Sequence, residues 1–232
     1  MGGRGSTYNH SSGSEGQPYR GKFVTGSGHA GIDQLARNAG FSKVIVSEEY
    51  AKRLDSDKHA PQLLGAMLYN ISKVERIFHV LQDNKTELVI APARRKTTIA
   101  SMRVDNSRMQ ITSQMTSKDI INATRDGIKE KWFSKSGSTS KVNQVIAHVP
   151  LHEYGHSVAN QFHKRTGKDL TRAVRKELGY NKKLPNVSTY GERSSHEWLA
   201  ETFAQAFGTG GQQSEATRAL KKVLREQGGY NV

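Results

Sequence analysis

The 232-residue sequence contains no cysteine. Disulfides, zinc–thiolate clusters, iron–sulfur centres and thiol nucleophiles are excluded together, so any transition metal must be held by His and carboxylate side chains. No run approaches the ~18 to 20 apolar residues of a membrane-spanning helix, and the N-terminus lacks the apolar core of a secretory signal. A soluble protein that does not leave the cell by that route is expected. Acidic residues are also few: 21 Asp+Glu face 35 Lys+Arg, a formal net charge of +14, with a pI near 10.0. That balance favours anionic partners such as nucleic acid, an acidic protein or a phosphate-rich surface. It does not choose among them, and no helix-turn-helix, RNP or zinc-finger signature is present.

A third of the residues, 34%, are apolar, which rules out a wholly disordered chain, although a mean hydropathy of -0.68 marks a wet one. Residues 1–30 are rich in Gly and Ser, with Phe23 and Val24 as an apolar pair, and read as a flexible basic arm. Residues 31–232 read as one domain. From Ile32 to Leu81 the pattern is helical, with a long amphipathic helix starting near Ala60-Pro61 and ending at Asp83-Asn84. Three short β-branched runs follow, at Leu88–Ile90, Thr97–Val104 and Met109–Thr112, with a turn at Asp105-Asn106. They predict a sheet of two to four strands, and a helix opens after it at Ser117.

The informative segment is His152-Glu153-Tyr154-Gly155-His156. It lies in a helical context read as Val149 to Lys164, with Pro150 near the start and Gly167 beyond the end. The i, i+4 spacing puts both imidazoles on one face, so that two nitrogens can meet one Zn²⁺ while Glu153 projects beside them. The pattern arises by chance in on the order of one in a hundred such chains, so a third ligand decides. Ala159 and Phe162 stand where a metzincin needs Gly and His, and His163 is too far along the axis to share the ion. A carboxylate from a second helix remains. Residues 195–207 offer Glu197 and Glu201 on one face, a like-charged pair that a cation and imidazole N–H groups would compensate. Ser194 and Glu197 equally fit a helix capping box, which would commit the glutamate to a backbone N–H.

His152-Glu153-Tyr154-Gly155-His156, then Tyr190, then Glu197-Trp198-Leu199-Ala200-Glu201-Thr202-Phe203-Ala204 resembles the gluzincin metallopeptidases of the anthrax-lethal-factor type, and related zincin domains are common in bacteriophage genomes. The similarity covers about residues 97–207. It implies an α+β zincin-like fold with a small twisted sheet, the HExxH helix and a C-terminal helical part. It also implies zinc held by His152, His156 and Glu197, Glu153 as general base, Tyr190 supporting the oxyanion, and Glu201 partnering a zinc-binding histidine. Without the resemblance Tyr190 reads as an ordinary loop tyrosine beside Gly191.

In zincins an extended substrate usually adds to an edge strand above the metal helix. The segment Arg108, Met109, Gln110, Ile111, Thr112 and Ser113 is the candidate, with a plain internal strand as the alternative. Arg94-Arg95-Lys96 and the stretch Lys164 to Lys183 read as a solvated basic face or as a draw for acidic substrates or nucleic acid. The leading function is zinc-dependent hydrolysis of peptide bonds in a protein or peptide substrate. The rival is a phage virion or head-associated structural protein that keeps a zincin scaffold with little catalysis, and phage capsid proteins would then be partners. Its support is the basic Gly-rich arm and the start Met-Gly-Gly-Arg-Gly. A nucleic-acid module with a fortuitous HExxH ranks last, because Glu197 and Tyr190 would be accidents. Either leading reading places the chain in a bacterial host cytoplasm or in a virion.

Overall fold

Val44, Val46, Leu88, Ile90, Met109 and Ile111 are all buried, and the runs that hold them form neighbouring strands of one sheet. The computed structural model describes residues 23–57, 59–92, 98–112, 114–135, 137–179, 184–208 and 213–232. Among these the architecture is mixed α+β, with five strands in one sheet and nine α-helices. The strands are β1 (Phe23–Thr25), β2 (Lys43–Ser47), β3 (Glu87–Ala91), β4 (Ala100–Met102) and β5 (Arg108–Thr112). Their order is β1-β2-β3-β5-β4. The central three run parallel, in registers such as Val44↔Leu88 and Ile90↔Ile111, while β1 and β4 close the two edges antiparallel.

This sheet departs from the expected one in three ways. It has five strands instead of two to four. β1 lies within the residues read as an arm, and β2 within those read as helical, because the short Val44-Ile45-Val46 run was absorbed into a longer apolar pattern. The edge position expected for Arg108–Ser113 belongs instead to β4. β5 is flanked by β3 and β4, so its backbone groups are already committed to neighbours. The internal strand, which the sequence left open, is the one formed; Ser113 lies outside the described residues.

The helices are α1 (Ala30–Asn38), α2 (Glu48–Ser56), α3 (His59–Phe78), α4 (Val80–Asp83), α5 (Ser117–Lys129), α6 (Val142–Thr166), α7 (Leu170–Glu177), α8 (Ser195–Phe207) and α9 (Glu215–Gly228). α6 is longer than the expected Val149–Lys164, and Pro150 lies inside it. The backbone donor that Pro150 lacks is offset by packing against α3, α5 and α8, which buries Val145, Ile146 and Ala147. Gly167, at φ 68, stops the helix where a left-handed residue is required.

An aromatic cluster sits behind α6. Phe78 of α3 lies 5.4 Å from Phe203 of α8, and Tyr154 of α6 lies 5.9 Å from the same ring. Fully burying such a ring contributes about 1.5 to 3 kcal/mol. Glu75 adds a polar anchor: its buried carboxylate accepts from Leu81 N–H, Gln82 N–H and the Tyr154 hydroxyl. On the other side the β4–β5 turn is pinned to α6. Asn106, at φ 61, donates through Nδ2 to the Ser157 carbonyl at 3.1 Å, and Asn160 Nδ2 donates to the Val104 carbonyl at 2.9 Å. The edge strand β4 is thereby held against the middle of α6. No helix among the described residues is long and apolar enough to cross a membrane.

Candidate metal centre

The contact between α6 and α8 is made possible by Gly155, between the two histidines. A Cβ there would lie 2.9 Å from Phe203 Cβ and 3.2 Å from Ala200 Cα, so any larger residue would push the helices apart. At this distance the first turns of α8 face His152 and His156. Ser194 caps α8, its hydroxyl accepting from Glu197 N–H at 3.1 Å. The Glu197 side chain does not return to the cap. It turns to the imidazoles, with Oε2 3.0 Å from His152 Nε2 and 3.6 Å from His156 Nε2.

Three ligating atoms, one each from His152, His156 and Glu197, lie within 4.8 Å of one another, and all three residues are buried. His152 Nε2 and Glu197 Oε2 approach to 3.0 Å without the alignment of a hydrogen bond, and neither atom has another hydrogen-bond partner. Such buried atoms are costly unless something satisfies them. Donors placed tetrahedrally at about 2.1 Å from one ion stand ~3.4 Å apart. The observed 3.0 and 3.6 Å bracket that spacing, so the residues fit a divalent cation, which makes the set a candidate metal site.

Glu201 sits one turn further along α8 and is fully buried. Its Oε1 is 2.8 Å from His152 Nδ1 and 3.1 Å from His148 Nε2, and its other oxygen accepts from Ser134 N–H. Ser134 Oγ also donates to the Glu201 carbonyl at 2.8 Å. Burial alone would raise the Glu201 carboxyl, but His148 and His152 outweigh it and hold it well below the usual carboxylate range. An ionised carboxylate only accepts, so His152 carries its proton on Nδ1 and, when neutral, presents a lone pair at Nε2.

The same opposition acts on the ligands themselves. Burial would raise Glu197, yet the two imidazoles bring it down to about 2. For His152 burial lowers the pKa, but Glu197 and Glu201 raise it well above the ordinary value. A cation bound between these side chains would therefore compete with a proton on His152.

His148, His152 and Glu201 form a second group of ligating atoms within the same spacing. Here both imidazole nitrogens are hydrogen-bonded to one carboxylate oxygen, so this group supports the first. Sequence reasoning missed His148 and Ser134. His148 could have been found one turn before His152, but the expected helix began only at Val149. Nothing local marks Ser134.

Tyr190 is brought to the same place by a docked turn. Its N–H donates to the Trp132 carbonyl at 2.9 Å, and Gly191 N–H donates to Ser188 Oγ at 2.9 Å. The Tyr190 ring lies 5.6 Å from that of His152. Burial foremost, then the charges of Glu197 and Glu153, push its pKa up, so the hydroxyl keeps its proton. Glu153, also buried, lines a cavity with His152, Tyr190, Phe133, Val149 and Ala100. That cavity includes the start of the edge strand β4 and nothing from β5.

His163 is exposed near the end of α6, with Nδ1 3.3 Å from the Lys168 carbonyl, away from the site. The basic triplet Arg94-Arg95-Lys96 and, in the second basic stretch, Lys182 and Lys183 lie outside the described residues. No protein-family model, no curated protein and no solved structure matches the chain.

Proposed function

We propose that this chain is a zincin-type, zinc-dependent metallopeptidase of the gluzincin kind. The observation that carries the reading is the convergence of His152, His156 and Glu197, with His152 also lining one cavity together with Glu153 and Tyr190. A structural metal site would need the three ligands alone. Hydrolysis also wants a base and an oxyanion donor, and both line the same space.

The donor set of two imidazoles and one carboxylate suits zinc, and such an ion supplies a Lewis acid that acidifies water and polarises an amide carbonyl. Glu201 holds the His152 ring with its Nε2 turned towards Glu197. Glu153 takes the proton of the attacking water and returns it to the leaving nitrogen. Tyr190, kept protonated, donates its hydroxyl to the developing oxyanion. β4, the last strand of the sheet among the described residues, offers main-chain hydrogen bonds to an extended peptide. Phe133 and Val149 provide an apolar wall for one of its side chains.

The experiment is digestion of a denatured protein mixture by wild type and Glu153→Gln at matched zinc content. Cleavage by wild type should fall at least about a hundredfold in the variant and cease under chelation. Full zinc loading with no cleavage by either protein would reject the peptidase reading.

A further inference from the structure

Among the described residues the carboxylates at or beside the candidate metal centre are Glu153, Glu197 and Glu201, and no Lys or Arg lines the cavity. A cation stands on Tyr190, a residue of this wall: Arg193. It ends the 3₁₀ turn Gly191–Arg193 that follows Tyr190, and its N–H donates to the Tyr190 carbonyl at 3.2 Å. This turn folds the guanidinium back over the Tyr190 ring, with Cζ 5.4 Å from the ring centroid. A guanidinium held over an aromatic face keeps N–H donors that can still reach another acceptor.

Arg193 is exposed. Among the described residues no carboxylate pairs with it, whereas Arg53, Arg103, Arg108 and Arg165 each have one within 4 Å. Its neighbour Glu192 is turned to Asn186 Nδ2, at 2.8 Å. A positioned guanidinium is thus available beside the wall of the cavity. Its spacing from Tyr190, together with that of Tyr190 from His152, places it within about 11 Å of the His152 ring. Extended chain covers that in roughly three residues at ~3.4 Å each.

We infer that Arg193 is a specificity-determining residue that recognises a carboxylate of the bound peptide within about three residues of the scissile bond. The inference rests on the peptidase reading. The carboxylate is an Asp or Glu side chain or the free C-terminus of the peptide; both present the same planar pair of oxygens.

Peptide hydroxamates test this, because the hydroxamate chelates the metal and fixes the register without being cleaved. Libraries carrying three varied residues, in amidated and free-acid forms, are bound to zinc-loaded wild type, Arg193→Gln and Arg193→Lys, and the retained peptides are quantified by mass spectrometry. Wild type should enrich Asp and Glu over Asn and Gln at one position about three- to tenfold. Arg193→Gln should abolish the enrichment and Arg193→Lys should keep only part of it. Enrichment in the amidated library assigns a side-chain carboxylate, and enrichment confined to free acids assigns the C-terminus. Retention without acidic preference, or the same preference in Arg193→Gln, overturns the inference and leaves the metal centre standing. No retention of any hydroxamate rejects the metal centre itself and the inference with it.

Discussion

His152 and Glu201 meet across the α6–α8 contact with Nδ1 2.8 Å from a carboxylate oxygen. This contact orients the imidazole with its other nitrogen towards Glu197, an arrangement that would make it a better ligand to a bound cation. Glu201 is itself held by His148 and by the Ser134 N–H. Replacing Glu201 with Gln removes the charge and leaves a buried N–H with no full acceptor. Zinc affinity, measured by competition with a chromophoric chelator, should fall about ten- to hundredfold. Unchanged affinity in a folded variant would deny Glu201 this role.

Stability of the metal-free protein should depend on pH in a defined window. His152 is raised above its ordinary 6.5, so its contribution is complete below that value and is lost as pH rises through the folded one. Glu197 is lowered from 4.5 to about 2, so its contribution is present above 4.5 and is lost as pH falls towards the lower value. Chelator-treated protein should therefore melt at a higher temperature at about pH 5.5 than at about pH 8.5 or about pH 2.5. Zinc binding near neutral pH should release about one proton, read by calorimetry in buffers of different ionisation enthalpy. A flat melting profile with no proton release would contradict this charge arrangement.

Gly155→Ala separates helix propensity from packing. In an exposed helix the change would gain about 1 kcal/mol. Here the added methyl meets Phe203 Cβ at 2.9 Å and Ala200 Cα at 3.2 Å, and overpacking costs about 1 to 3 kcal/mol. Urea unfolding should show a net loss of up to about 2 kcal/mol. Because α8 carries Glu197 and Glu201, zinc affinity should weaken as well. A stabilised variant with unaltered affinity would mean that α8 is not held at this spacing.

The residues brought together at the centre were legible because their chemistry repeats at helical spacing. His152 and His156 are one turn apart, as are Glu197 and Glu201, and the competing capping role of Glu197 is only half made. What was not legible depends on contacts distant in sequence. Ser134 and Glu201 are 67 residues apart, and nothing local marks their meeting. The edge position of β4 follows from strand order, in which β5 inserts between β3 and β4; local periodicity carries no such information. Pro150 misled the helix start because its cost is met by burial on three neighbouring helices, and His148 was lost with that start.

The central claim is that His152, His156 and Glu197 hold one zinc ion. Its most direct test is zinc titration of chelator-stripped wild type and His156→Ala, followed by X-ray absorption at the zinc edge. Wild type should bind one equivalent, with two imidazoles and oxygen donors at ~2.0 to 2.2 Å, and His156→Ala should show one imidazole fewer and a much weaker hold. A chain that binds no zinc, or a coordination shell unchanged by His156→Ala, would contradict the account.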